Sequence, residues 1–284
     1  MKIIDSKRCI IGEGPIWNEK EQLLYFVNAM GGNEICKLNV ATQEIQSIPV
    51  AVGVASMAFD RQNRLLVSRP DGIFLMLEDG SVTDLYDRDR YHITFANDGK
   101  VGPDGRFYVG TQSGKRKGVS DQIDGKLYSI DKDGTVRVLL DNLILSNGME
   151  WNIEENKFYH TDSGTRIIKE YDFDKETGNI HFTGRQVYVP GVDGFTIDQN
   201  NQLWIACWGK SHIAQVDTST MEVVDYLNLP GTTPASCGFC GPDMDKLVIV
   251  TASYRADLEK LPNSGFLFLE EMKIPGRKPY IFGA

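Results

Sequence analysis

The stretch Cys9–Trp17, C-I-I-G-E-G-P-I-W, contains the pattern that decides the fold. Its central residue, Glu13, lies between two glycines and is followed by the apolar pair Ile16 and Trp17. A polar turn and the apolar run Leu24-Tyr25-Phe26 come next. The same order of lead residue, apolar pair, turn and apolar run returns five more times along the chain. The sequence is therefore built from six repeats.

The six repeats have similar lengths, because their lead residues are 42, 42, 50, 46 and 43 residues apart. The second half of a repeat contains two short apolar runs on either side of an Asp-Gly turn, as in the segments after Gly72 and Gly125. Each repeat thus predicts four short strands, and repeats of about 40–50 residues with four strands are typical of propeller blades. The six leads are Glu13, Ala55, Asn97, Asn147, Asp193 and Ser236.

We therefore predict an all-β fold, a six-bladed β-propeller of four-stranded antiparallel blades, in which residues 1–284 form a single domain. A two-sheet β-sandwich would explain the short strands but not six nearly equal spacings. Two segments could supply the outer strand of the last blade. One is Lys2-Ile3-Ile4, which would join the two ends of the chain, and the other is the tail from Pro279 to Phe282.

The charge of the chain favours a small-molecule partner over a polyanion. Lys and Arg total 30 and Asp and Glu total 39, so the net charge is −9, which argues against nucleic acid and anionic membranes as partners. The short basic cluster Lys115-Arg116-Lys117 is expected to be a solvated loop. No apolar run could span a bilayer and the N-terminus lacks a signal-peptide core, so we expect a cytoplasmic protein. Five cysteines without framework spacing predict small buried strand residues.

The lead residues predict a metal site, because the innermost strands of a propeller begin at one mouth of its central channel. Two carboxylates, Glu13 and Asp193, and two carboxamides, Asn97 and Asn147, would converge there. Crowded carboxylates are costly unless they are protonated or neutralised, and a divalent cation neutralises them. Oxygen-only ligands suit Ca²⁺ first, with Mg²⁺, Mn²⁺ or Zn²⁺ as alternatives. The competing interpretation is a set of ordinary polar strand ends in a water-filled channel.

Four motifs in order give the chain a resemblance to a known family. They are G-E-G-P from Gly12, N-D-G-K-V-x-P-x-G-R from Asn97, S-N-G-x-x-W from Ser146 and D-G-x-x-I-D-x-x-x-x-L-W-I-A from Asp193. The chain resembles the family of gluconolactonase, regucalcin (senescence marker protein) and luciferin-regenerating enzyme. The resemblance spans the whole predicted propeller.

The resemblance implies roles for individual residues. The family's metal ligands fall on Glu13, Asn147 and Asp193, and Asn97 would hold substrate or complete the metal shell. Many lactonases of this family carry an arginine that grips a sugar lactone two residues before the asparagine, and here that position is Phe95. The family's usual G-T-M is G-T-Gln112 in this chain. A more apolar substrate than a sugar lactone is therefore expected.

These observations predict a divalent-metal-dependent hydrolase of a cyclic ester, a gluconolactonase-like lactonase. Asp193 is the predicted general base or nucleophile, Asn97 and Phe95 are predicted to contact substrate, and Asp98 is a possible helper. One alternative is a calcium-binding regulatory propeller without catalysis. Another is a propeller whose faces bind proteins.

Overall fold

The computed structural model describes all 284 residues and consists almost entirely of β-strands. Its strands form six four-stranded antiparallel sheets, which we number as blades 1 to 6 in the order of their lead residues. The predicted fold class, a six-bladed β-propeller, is therefore confirmed. Inter-residue contacts divide the chain into two compact units, and each unit contains three blades.

Unit 1 comprises residues 1–54 and 187–279. Its innermost strands are neighbours in the order blade 5, blade 6, blade 1, so the innermost strand of blade 6 contacts both of the others. Its strands, blade by blade, are β2 Ile11–Asn18, β3 Leu23–Ala29, β4 Glu34–Leu38 and β5 Ile45–Pro49 in blade 1; β18 Val192–Ile197, β19 Gln202–Cys207, β20 His212–Asp217 and β21 Glu222–Asn228 in blade 5; and β22 Pro234–Cys240, β23 Lys246–Thr251, β24 Leu267–Glu271 and β1 Lys2–Ile4 in blade 6.

Unit 2 comprises residues 55–186 and 280–284. Here β10 of blade 3 contacts the innermost strands of blades 2 and 4, and one short helix, α1 Gly114–Lys117, interrupts the strands. The strands are β6 Ser56–Phe59, β7 Leu65–Arg69, β8 Gly72–Met76 and β9 Val82–Asp84 in blade 2; β10 Ala96–Val101, β11 Phe107–Thr111, β12 Gly125–Ile130 and β13 Val136–Leu143 in blade 3; and β14 Ser146–Trp151, β15 Lys157–Asp162, β16 Ile167–Asp174 and β17 Asn179–Tyr188 in blade 4.

The N-terminus supplies the outer strand of the last blade, as one of the two sequence alternatives predicted. Strand β1 pairs antiparallel with β24, with Lys2 opposite Leu269 and Ile4 opposite Leu267. The competing tail takes another position, because Phe282 forms a parallel bridge with Asp60 beside blade 2. Pairing of β1 covers the edge of β24 that would otherwise expose unpaired backbone groups.

A side-chain oxygen closes the turn after the innermost strand in most blades. In blade 2, Asp60 Oδ1 accepts hydrogen bonds from the backbone N–H groups of Gln62 at 2.9 Å and Arg64 at 2.8 Å. Satisfying the turn's backbone donors in this way fixes the hairpin that leads into the second strand. The residues that act in the same way in other blades are Asn18, Asn152 and Asp198.

The core lies between neighbouring blades and is filled by the residues that the repeat pattern identifies. In unit 2 the rings of Tyr108 and Trp151 lie 4.8 Å apart between blades 3 and 4, and Phe158 lies 4.9 Å from Trp151. All five cysteines are buried and free, as expected. No helix in the structure has the length and apolar character needed to cross a membrane. The apolar residues four positions after each lead are all buried, namely Trp17, Phe59, Val101, Trp151, Ile197 and Cys240.

Candidate functional site

A change of strand register marks the lead position in five of the six innermost strands. Such bulges break the alternation of side chains and re-aim a residue away from the regular pleat. The sequence signal for them is the glycine one or two residues after most leads. The register shifts lie between Glu13 and Ile16, Ala96 and Gly99, Ser146 and Met149, Val192 and Phe195, and Pro234 and Ser236.

Unit 1 carries both predicted carboxylates on strands that flank β22. Glu13 is half-buried on β2, and Asp193 is buried on β18 with 7% of its surface exposed. The strands approach closely where glycine allows it. A Cβ on Gly194 would lie 2.2 Å from Ser236 Oγ, and a Cβ on Gly238 would lie 2.9 Å from the carbonyl oxygen of Pro15. The carboxylate-bearing strands therefore pack closely against the strand that separates them.

Unit 2 brings the two predicted carboxamides into direct contact. Asn97 Nδ2 donates to Asn147 Oδ1 at 3.1 Å and to the carbonyl oxygen of Ser146 at 3.0 Å. Gln112 Nε2 donates to Asn97 Oδ1 at 3.1 Å, and Asn147 Nδ2 donates to Ser163 Oγ at 3.1 Å. The Nδ2 groups of both asparagines thus donate hydrogen bonds, and each Oδ1 accepts one. A second lone pair remains on each Oδ1. The two carboxamides therefore lie together within unit 2.

A buried histidine supports the strand that carries Asn147. Ser146 Oγ and His160 Nε2 are 2.7 Å apart, and both side chains are buried. Burial lowers the pKa of His160 from 6.5 to about 4, so its ring is neutral at pH 7. His160 therefore has a structural role as a neutral hydrogen-bond partner of Ser146.

Asp98 lies on the same strand as Asn97 and close to a half-buried ion pair. Its Oδ1 accepts a hydrogen bond from Gly99 N at 2.8 Å, and the neighbouring Lys100 forms a 2.8 Å salt bridge with Glu150. Burial raises the pKa of Asp98 above its ordinary value, while the charge of Lys100 and the Gly99 N–H oppose the rise. Asp98 is half-buried as a whole residue, but the surrounding protein keeps water away from its carboxyl group.

Phe95 occupies a backbone conformation that is rare for an aromatic residue. Its φ is +55°, and the peptide is held by hydrogen bonds from Phe95 N to Pro70 O at 2.8 Å and from Gln112 N to Phe95 O at 3.0 Å. Lys117 Nζ lies 5.7 Å from the centre of the Phe95 ring. The expectation of a solvated loop at 115–117 needs correction. These residues form the helical turn α1, which Ser113 Oγ caps by accepting from Arg116 N at 3.2 Å.

Sequence reasoning missed three groups that orient the predicted site residues. Gln112 stood out only as a departure from the family motif, whereas Ser163 and His160 gave no local signal at all. Their contacts depend on the pairing of β14 with β15 and on the return of the chain beside β10. Pairing between strands is a tertiary property, so such partners are found only once the register is known.

The predicted metal ligands have the chemistry of a hard-cation site. No three His, Cys, Asp or Glu side chains come together in a way that could hold a metal. The predicted set contains only two such residues, Glu13 and Asp193, and depends on the amide oxygen of Asn147 for its third ligand. Two carboxylates and an amide oxygen fit Ca²⁺ and do not fit the nitrogen and sulfur preference of structural zinc sites.

Comparison with known proteins gives a consistent result. A family model described as "SMP-30/Gluconolactonase/LRE-like region" matches residues 11–253. Regucalcin of Gallus gallus is 30% identical over 297 residues, covering 99% of this chain and 98% of that protein. YvrE of Bacillus subtilis, named as a candidate sugar lactone lactonase, is 30% identical over 285 residues, covering 97% and 96% of the two chains.

A solved structure supports the same grouping. The structure of a luciferin-regenerating enzyme superposes with a TM-score of 0.88 at 27% identity, covering 100% of this chain and 98% of that one. The family match covers most of the chain and includes the lead residues from Glu13 to Ser236. The chain therefore belongs to the SMP-30/gluconolactonase/LRE-like family.

Proposed function

We propose that this protein is a divalent-metal-dependent hydrolase of a cyclic ester, with Glu13, Asn147 and Asp193 as the cation ligands. The observation that supports it most is the placing of four polar lead residues at or beside strand bulges, in a family whose members include a protein named as a lactonase. Small-molecule binding suits such leads, because a bulge re-aims a polar side chain out of the regular pleat, where it can contact a ligand.

The chemistry expected of a bound cation is electrophilic: it polarises the ester carbonyl and stabilises negative charge on its oxygen. Ca²⁺ is the proposed ion, with Mg²⁺, Mn²⁺ or Zn²⁺ as alternatives. One lone pair of Asn147 Oδ1 accepts from Asn97, which leaves the other for the cation. The carboxylates of Glu13 and Asp193 supply the negative charge that offsets it.

The proposed protein contribution is positioning and proton removal. Asp193 acts as the general base that takes a proton from the attacking water. Asn97 holds substrate through its Oδ1, since its Nδ2 already donates to Asn147 and to the Ser146 carbonyl. The ring of Phe95, beside this amide in the chain, favours an apolar part of the substrate over a sugar. Asp98 is the next candidate for the base should Asp193 prove to be a ligand only.

The test is hydrolysis of a panel of lactones by wild type and by Asp193→Asn, with a chelator and at saturating Ca²⁺. Asparagine keeps an oxygen in place but removes the basic carboxylate, so turnover at saturating metal should fall by a factor of about 10² to 10⁴. The matched control is Asp225→Asn, the same substitution on the exposed outer strand of the same blade. Wild-type rates in Asp193→Asn at saturating metal would rule out Asp193 as the base.

A second candidate is a calcium-binding protein without catalysis, and the regucalcin names of several relatives are the reason to keep it. It predicts that Ca²⁺ raises the melting temperature, because a ligand of the native state stabilises it by mass action. It also predicts no lactone turnover under any metal condition. The same panel therefore separates the two functions.

A further inference from the structure

We propose that Lys117 selects substrates with a negatively charged group, so that the natural substrate is a cyclic ester carrying a carboxylate or a similar anion. This inference deepens the proposed lactonase function and rests on it. It concerns the Phe95 side of the site, which consists of Phe95, Asn97, Gln112 and Lys117 in unit 2. The sequence alone pointed to apolar substrates there and gave the basic cluster no role.

The first observation is the strained backbone of Phe95. A positive φ is unfavourable for a bulky residue and persists only where the surroundings impose it. Here two backbone hydrogen bonds impose it, one to Pro70 O and one from Gln112 N. The same Gln112 donates through its side chain to Asn97 Oδ1 at 3.1 Å. The Phe95 backbone is therefore fixed beside Gln112, the residue whose side chain holds the amide that is proposed to bind substrate.

The second observation is the ordered segment that carries Lys117 to this ring. Its base is anchored by hydrogen bonds from Ser113 N to Ile144 O at 3.0 Å, from Gly114 N to Asp124 Oδ1 at 2.7 Å and from Lys115 N to Gln122 O at 3.0 Å. The resulting helical turn places Lys117 Nζ 5.7 Å from the centre of the Phe95 ring. The ammonium group is thus held near the substrate residues by the fold.

The third observation is charge. Lys115, Arg116 and Lys117 are exposed, and none of them forms a salt bridge with a carboxylate, although the protein as a whole carries a net charge of −9. The segment 114–124 contains these three cations and two carboxylates, Asp121 and Asp124, so it carries a net charge of 3 − 2 = +1. An ammonium near an aromatic ring suits a ligand that places an apolar part against the ring and an anion next to the ammonium.

The experiment compares two lactones of the same ring size, one neutral and one with a carboxylate on its side chain. The readout is the ratio of kcat/KM for the charged substrate to kcat/KM for the neutral one. Lys117→Met keeps the apolar stem and removes the charge, so this ratio should fall about 5- to 10-fold at low ionic strength. Lys117→Arg retains a cation and should keep most of the wild-type ratio. Added salt should reduce the wild-type preference.

The matched control is Lys132→Met, which changes the net charge by the same amount. Lys132 is exposed in the turn between β12 and β13. This turn lies at one end of blade 3, and Gly125 and Thr111 lie at the other end. Its substitution should leave the ratio within a factor of two. Equal ratios in wild type and Lys117→Met, or an equal fall in both Met variants, would overturn the proposal.

A binding measurement separates failure of this inference from failure of the proposed function. Calorimetric titration with the corresponding neutral and carboxylated lactams, which resist hydrolysis, measures recognition without turnover. If no lactone is hydrolysed but Lys117→Met weakens binding of only the carboxylated lactam, the proposed function is wrong and only the recognition of an anion by Lys117 holds. If the carboxylated lactam binds no better to wild type than to Lys117→Met, the inference is wrong whatever the rates show.

Discussion

The close approach of β18 to β22 makes Gly194→Ala the sharpest test of the structure. An added Cβ would lie 2.2 Å from Ser236 Oγ, 2.7 Å from Ser236 Cβ and 3.1 Å from Ser236 Cα. Gly194 does not have a positive φ, so alanine adds no backbone strain of its own. The strands must therefore separate, because rotation of the serine hydroxyl relieves only the first contact. Overpacking of this kind costs about 1–3 kcal/mol.

The assay is urea unfolding of wild type, Gly194→Ala, Ser236→Gly and the double variant. Ser236→Gly alone should cost about 0.5–1 kcal/mol, since glycine weakens a strand. In the double variant the two shorter contacts disappear, so it should be more stable than Gly194→Ala despite carrying a second change. The expected coupling energy is about 1–2 kcal/mol, which is typical of residues in direct contact. Strictly additive losses would refute the close packing of these strands.

Three further predictions address the site. Asn147→Ala should reduce the rise in melting temperature that Ca²⁺ produces. Each tenfold loss of Ca²⁺ affinity removes about 1.4 kcal/mol of the stabilisation that saturating Ca²⁺ gives to the folded state. An unchanged rise would exclude Asn147 as a ligand. His160 is neutral in the folded protein at pH 7, because burial lowers its pKa to about 4. The charge of Asp162 raises this pKa and the charge of Lys169 lowers it. In the unfolded state the histidine binds a proton near pH 6.5, whereas in the folded state it does so only near pH 4. Protonation of His160 should therefore remove about 3 kcal/mol of stability as the pH falls from 6.5 to 4. His160→Gln should show a shallower loss of stability in acid unfolding curves. Phe95→Arg should raise kcat/KM for sugar lactones relative to apolar lactones, and a fall in both would show that Phe95 is needed for packing only.

The fold and the lead residues could be predicted from the sequence because both follow from local patterns. The lead position, the apolar runs and the buried residue four positions after each lead repeat six times, so errors at any one blade do not change the number of blades. The pairing of Lys2–Ile4 with the last blade remained one of two alternatives. Short edge strands at either terminus have similar patterns, and only the packing around them decides which one pairs.

What only the tertiary structure decided is how the lead side chains are oriented and what surrounds them. The register shifts at the leads, the amide contact of Asn97 with Asn147 and the support of Ser146 by His160 all join residues from different strands. The helical turn that holds Lys117 near Phe95 depends in the same way on anchors that are distant in the chain, such as Ile144. A periodic sequence specifies repeated strands because each strand's pattern is local. The surroundings of a side chain depend on strand register and loop packing, which arise only when distant segments meet.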